Sequence, residues 1–178
     1  MSRLGRSARA AAIGLALAAG GCGAFGSSER NPPCPKVFIV GETAEVTRFR
    51  PGAGRDITDI EFEAEVAGYT GNCSYTDKKL TVELDVALQL ARGPANAARA
   101  VDLEYFVAVP KLYPSQAGKR VFPVSVAFEP NQSRTRFIDP LVLEFPLTQK
   151  AEGPAHEIYI GFQLRREEIE FNRNRRKR

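Results

Sequence analysis

The chain has 178 residues, 43% hydrophobic and 26% charged, with one histidine, three cysteines and no tryptophan, a length that suits one domain with a proper core and is short for two. Its formal net charge of +4 belongs to the two ends: Arg3, Arg6 and Arg9 open the chain, Arg173, Arg175, Arg176, Lys177 and Arg178 close it, and Cys22 to Asn172 holds 17 basic against 21 acidic residues. A mildly acidic body argues against a nucleic-acid partner, and a single histidine with no Cys-x-x-Cys pair argues against a zinc site, so no metal and no cofactor are expected.

The first element in chain order has the anatomy of an export signal. Arg3, Arg6 and Arg9 supply a charged start, Ala10 to Ala19 a short apolar core, and Ala19-Gly20-Gly21 small residues immediately before Cys22. A transmembrane helix needs about 20 apolar residues, and the run between Arg9 and Cys22 is too short. Residues 1–22 resemble the signal sequences of bacterial lipoproteins, departing from them at Ala19, where such signals usually carry leucine. The resemblance implies removal of residues 1–21 and acylation of Cys22 on its sulfur and its new amino group. One acyl chain holds a membrane marginally, whereas two or three, palmitate among them, hold it stably. It further implies a location in the cell envelope facing the periplasm, with Gly23 favouring the outer membrane over the inner by analogy with enteric lipoproteins. The alternative is simple secretion after a cut at Ala18 or Ala19. Lipidation of Cys22 would leave two cysteines, Cys34 and Cys73, to pair in an oxidising compartment; the alternative is two buried free thiols. Residues 22–35 are small and polar, run into Pro32 and Pro33, and read as a tether.

From residue 36 to 164 the dominant period is two. Strands are expected at Val37 to Val40, Ala44 to Phe49, Ile60 to Val66, Leu80 to Leu90, Val101 to Val109, Val121 to Phe128, Leu141 to Leu147 and Ile158 to Leu164. The clearest is Leu80 to Leu90, where leucine and valine alternate with Thr81, Glu83, Asp85, Ala87 and Gln89. About eight strands separated by Gly, Pro, Asn and Asp predict an all-β, single antiparallel β-sandwich, with a β-barrel as the alternative. Pro123 removes a ladder donor, so its strand is expected at an edge or with a bulge, and Pro140 is expected to limit the next strand in the same way. The mature chain resembles small proteobacterial lipoproteins that carry an immunoglobulin-like sandwich.

Residues 165–178 change period and predict a short helix that sets Ile169 against the domain, then a disordered basic tail of Arg173, Arg175, Arg176, Lys177 and Arg178. Such a tail could reach an anionic glycan, an anionic lipid or an acidic partner. Arg50 and Arg55 flank a glycine-rich loop able to grip a carboxylate or phosphate, and Phe106 makes part of the second face of its strand apolar. Tyr69, Tyr75 and Tyr113 lie near strand ends as stacking surfaces for a glycan. If the strands around Ile60 and Leu80 are neighbours, their outward glutamates make an acidic surface. His156 sits in a loop-like run and is expected at the surface, with no Gly-x-Ser-x-Gly elbow to recruit it. These residues predict a non-catalytic, membrane-anchored envelope module for protein interaction; the alternatives are a glycan- or anion-binding module and a carboxylate-dependent hydrolase.

Overall fold

A computed structural model describes residues 30–52 and 54–177; the signal segment, Cys22 and Arg178 lie outside them. The body runs from Asn31 onward. It contains eight strands, β1 (Val37–Ile39), β2 (Glu45–Phe49), β3 (Ile60–Tyr75), β4 (Lys79–Arg92), β5 (Ala100–Ala108), β6 (Lys119–Ala127), β7 (Arg134–Pro146) and β8 (Ile158–Phe162), and one helix, α1 (Arg166–Arg175).

The strands form two sheets of four, ordered β2-β3-β4-β7 and β1-β8-β5-β6. The sheets have free edges and do not join, which overturns the barrel. The strand alternation explains why they stack. Leu80, Val82, Leu84, Val86, Leu88 and Leu90 of β4 are all buried, as are Val101, Leu103, Tyr105 and Val107 of β5 and Ile158, Ile160 and Phe162 of β8. These inner faces enclose one core, and each such side chain taken from water contributes roughly 1.5–3 kcal/mol.

Three details differ from the periodicity. β1 pairs with β8 in parallel, Val37 opposite Ile158, so the fold is not wholly antiparallel; a three-residue strand entering beside Ile158 runs the same way as β8. β3 continues to Tyr75 through a bulge between Val66 and Gly68. Gly68 takes φ 155° there, a conformation open to a residue without Cβ. Beyond the bulge Tyr69, Gly71, Cys73 and Tyr75 face the buried Val86, Leu84, Val82 and Leu80. β7 also begins earlier, at Arg134, and carries Pro140 in its interior. It tolerates that proline because it is an edge strand with one side unpaired. β6, which contains Pro123, is likewise an edge.

The strand directions give the body two ends. The near end holds Cys34, the β3–β4 hairpin and the loops 109–118 and 147–157. The far end holds the loops 50–59, 93–99 and 128–133. At the near end Cys34 is bonded to Cys73, with their Cα atoms 5.7 Å apart. Tyr75 Oη donates to the Pro33 carbonyl at 2.8 Å and Tyr69 Oη to the Val37 carbonyl at 3.0 Å. One face of β3 thus grips the entering chain at three points.

A side-chain hydrogen bond ties the two sheets at mid-strand. Tyr105 of β5 is fully buried and its hydroxyl donates to Asp139 Oδ2 of β7 at 2.6 Å. Burial, and then the bond to the Asp139 carboxylate, pushes the phenol above its usual value of 10.0. The unfolded tyrosine ionises above pH 10 while the folded one stays neutral. The stabilisation is therefore complete below that pH and falls above it, by up to roughly 1.4 kcal/mol per pH unit for each such tyrosine. Tyr105→Phe is expected to cost about 2 kcal/mol at neutral pH, because Asp139 loses its donor. It should also make the alkaline fall shallower, leaving the parts due to Tyr75, which burial raises, and Tyr159, which its bond to Glu157 raises. Urea titrations across pH 7 to 11 read both effects, and parallel alkaline slopes for the two proteins would count against the assignment.

Candidate functional site

The far end carries the residues singled out as an anion grip. Arg50 follows the last residue of β2 and forms an ion pair with Asp59 at 2.5 Å; its side chain is exposed while that of Asp59 is buried. Asp59 also accepts from the Asp56 amide at 3.2 Å, and Asp56 caps the 3-10 turn Ile57–Asp59. This short loop folds back on its own carboxylate. Arg55 donates to the Gly54 carbonyl and lies 5.2 Å from the centre of the Phe49 ring. Ala53, between the two arginines, is outside the described residues.

Arg50 and Arg55 line a cleft of about 720 Å³ together with Arg48, Asn96, Asp102, Arg165 and Glu167. Among the described residues Arg55 and Arg165 have no carboxylate partner. Arg50 is neutralised by Asp59, and Arg48 by Glu168 at 2.8 Å. With Glu61, Asp102 and Glu167 also in its walls, the cleft is mixed in charge. It suits a polar protein surface better than a strongly anionic ligand, which would meet the acids as well as the arginines.

The C-terminal arginines lie elsewhere and are bound. α1 extends to Arg175 and lies against β2 and the 3-10 turn Gly41–Thr43, and the expected disordered tail gives way to docked side chains. Arg173 pairs with Glu42 at 3.0 Å, Arg175 pairs with Glu45, and Arg176 donates to the Gly41 carbonyl. The hydrogen bond from Arg173, then its charge, holds the Glu42 carboxyl below the ordinary carboxylate range. Lys177 is exposed beyond the helix. Phe171 packs edge-on against Phe49 with ring centres 5.1 Å apart, and Ile169 lies half-buried against the core. Periodicity found Ile169 and missed Phe171.

Phe106 faces outward from the second sheet toward the near end, half-covered. Lys119 Nζ sits 4.7 Å over its ring, and Thr43 fills the space above Gly161, the residue opposite Phe106. Arg55 and the α1 arginine Arg175 flank one aromatic pair, Arg55 over Phe49 and Arg175 over Phe171, whereas Phe106 lies on the other sheet and joins neither.

Other expectations change with burial. His156 is only 2% exposed, not on the surface; its ring stacks on Phe145 at 5.4 Å and its Nδ1 faces the Glu152 and Gly153 carbonyls. A ring nitrogen facing two acceptors carries the proton, and His156 does not line the far-end cleft. Of the three aromatic stacking candidates Tyr113 is 80% exposed and Tyr69 40% with its hydroxyl on the entering chain, while Tyr75 is half-buried against the core. Glu83 and Asp85 lie opposite Asn72 and Thr70 rather than Glu63 and Glu65, so the acidic positions do not merge into one patch. Among the described residues no group of three or more His, Cys, Asp or Glu is placed to hold a metal ion.

The fold adds one surface that alternation alone did not reveal. A trough of about 670 Å³ crosses the outer face of the first sheet, with Glu45, Glu63 and Glu65 along one side and Arg134 and Arg136 along the other. Glu65 stands opposite Gln89, and Gln89 opposite Arg136, so acid and base are two strand spacings apart, about 10 Å. Only the pairing of β4 with the unpredicted half of β7 brings them together.

Comparison with protein-family models, with curated proteins and with solved structures finds no match to this chain.

Proposed function

We propose that the protein is a non-catalytic interaction module of the bacterial cell envelope, anchored by lipid on Cys22, facing the periplasm and residing at the outer membrane in preference to the inner. The observation that carries this reading is the Cys34–Cys73 bond. It takes two of the three cysteines and leaves Cys22 as the odd one, at the end of an apolar run and preceded by small residues. Among the described residues no helix is long and apolar enough to cross a membrane.

The strand connections favour an immunoglobulin-like sandwich as the scaffold. β4 pairs with β7 and β5 with β8, while the links β4–β5 and β7–β8 both pass between sheets. In the immunoglobulin arrangement strands B and E share one sheet and C and F the other, with the same crossings. Here β1 lies parallel beside β8 in place of the last strand, and among the described residues no strand pairs beyond β7. In such folds loops at the ends serve recognition. The far-end cleft, opposite the entry of the chain, is the surface presented to a protein partner.

Mass spectrometry and cross-linking on the same cells test both halves. Material from the membrane fraction is expected to begin at Cys22 with acyl mass added, and Cys22→Ala is expected to lose the acyl mass. A photoreactive residue at Ala97, exposed in the cleft wall, should yield a discrete adduct that Arg50→Glu with Arg55→Glu removes. A chain that keeps Met1 would defeat the anchor, and only diffuse adducts indifferent to the arginines would defeat the interaction role.

A further inference from the structure

Six of the seven lysines gather at the near end of the body. Lys78 and Lys79 occupy the β3–β4 hairpin, Lys111 and Lys119 the loop and strand start between β5 and β6, Lys150 the β7–β8 connection, and Lys36 the approach to β1. The far end has arginines and no lysine. Sequence order scatters these lysines; the hairpin connections and the parallel β1–β8 pair bring them to one end.

Part of this charge is spent locally. Lys79 pairs with Glu144 at 2.6 Å and Lys150 with Asp77 at 3.1 Å, while Lys119 donates to Gln163. Lys36, Lys78 and Lys111 are exposed and have no ion pair among the described residues. Beside Lys111 stands Tyr113, the most exposed large apolar side chain described. Flexible ammonium groups around an exposed tyrosine are the side-chain set that meets a lipid headgroup layer: the charges find phosphates and the ring sits at the boundary.

We propose that this end is a bilayer-docking face that seats on anionic phospholipid headgroups through Lys36, Lys78 and Lys111, with Tyr113 at headgroup level. The inference rests on the Cys22 anchor and says how the anchored body is oriented. The covalent path selects the occupant. The chain leaves the body at this end, and from Cys22 to Asn31 it spans at most about 30 Å when fully extended. The opposite end lies a whole β3 away, about 50 Å for its 16 residues. Of the two ends, the lysine end alone is held within reach of the bilayer, and seating it there points the far-end cleft away from the membrane. Each lysine near an anionic surface is worth about fivefold in partition, so the three together supply about a hundredfold.

Fluorescence quenching tests the face separately from the anchor. The chain has no tryptophan, so Tyr113→Trp and Ile57→Trp, the latter at a far-end position 70% exposed, each install a sole reporter. The full chain, purified from membranes, is reconstituted with vesicles of phosphatidylcholine alone or of equal parts phosphatidylcholine and phosphatidylglycerol, both with brominated acyl chains. Quenching is expected at position 113 in the mixed vesicles only, and not at position 57 in either. Lys36→Glu, Lys78→Glu and Lys111→Glu together should abolish it, as should salt high enough to screen exposed charges. An unquenched reporter at 113, or quenching indifferent to lipid charge or to the three reversals, would overturn the proposal. Flotation on neutral vesicles reads the anchor alone. A chain that does not float there defeats the Cys22 reading, while quenching in excess anionic vesicles still decides the face.

Discussion

Replacing Cys34 and Cys73 together by serine is expected to lower the unfolding free energy by about 4 kcal/mol, the loop-closure value for a bridge across a sequence separation of 39 residues. In a domain of this size that is a fall in melting temperature of roughly 8–16 °C. The site supports the full effect. The bridge joins the chain ahead of β1, in one sheet, to the end of β3, in the other, and nearby tertiary bonds are few. β1 has only three residues, and the other holds on this segment include the hydroxyls of Tyr69 and Tyr75, each worth about 1 kcal/mol. Tyr75→Phe alone should therefore cost a quarter as much as the double serine variant. Hydrogen exchange should localise the loss, with the amides of Val37–Ile39 exchanging at nearly the unfolded rate while those of Leu80 to Leu90 stay protected in proportion to global stability. A double variant that melts within a degree or two of the parent would show that packing of Pro35 and β1 fixes this segment unaided. Mechanically the bridge means that a pull on the chain ahead of Cys34 bears on β3, which is paired along its length with β4, rather than on the short edge strand.

Alternation was legible wherever both sheets cover the strand. β4 reads cleanly because every second residue is buried. The same signal fades in the second half of β3, where the inner positions are Tyr69, Gly71, Cys73 and Tyr75. Those residues meet the entering chain, the start of β1 and the β7–β8 connection instead of the long strands of the opposite sheet, so polar tips and a glycine serve as well as leucine. It fades again at the start of β7, where Asp139 holds an inward position and looks like a loop residue. Only the hydroxyl of Tyr105, 34 residues earlier, makes that carboxylate acceptable inside. The lysine face and the acid-base trough were hidden for a further reason. Each depends on which strands become neighbours, and β1 beside β8 or β4 beside β7 is decided by packing of whole sheets rather than by local period. His156 misled because Gly153, Pro154 and Ala155 look like surface loop, yet Phe145 offers that loop an aromatic partner. The C-terminal arginines misled for an electrostatic reason: a run of basic residues reads as solvated until Glu42 and Glu45, more than a hundred residues earlier, are brought against it.

Glu168→Ala is expected to destabilise the protein by about 3–5 kcal/mol, the cost of leaving one member of a buried ion pair alone, although Glu168 lies in a short surface helix. Its side chain is 3% exposed and accepts two bonds, from Arg48 Nε at 2.8 Å and from the Arg165 amide at the start of α1 at 2.8 Å. Removing the carboxylate orphans the Arg48 guanidinium, which keeps the Asp102 carbonyl at 3.0 Å and the Phe62 ring as neighbours, and it strips the first turn of its cap. Neighbouring charges provide the control. Glu42 pairs with Arg173 where both are exposed, and Glu42→Ala should cost far less than Glu168→Ala because solvent screens that pair. Glu168→Gln should fall between, since an amide oxygen can still accept one of the two bonds. Urea unfolding ranks the three, and hydrogen exchange across Arg166–Arg175 shows whether the helix has left β2. Equal small losses for Glu42→Ala and Glu168→Ala would mean that Phe171 on Phe49 docks the helix without the ion pair. The outcome extends to function because Arg48, Arg165 and Glu167 are walls of the far-end cleft. If Glu168 holds the helix, Glu168→Ala should also remove the Ala97 cross-link at temperatures where the sheets remain folded, a loss that Glu42→Ala should not cause.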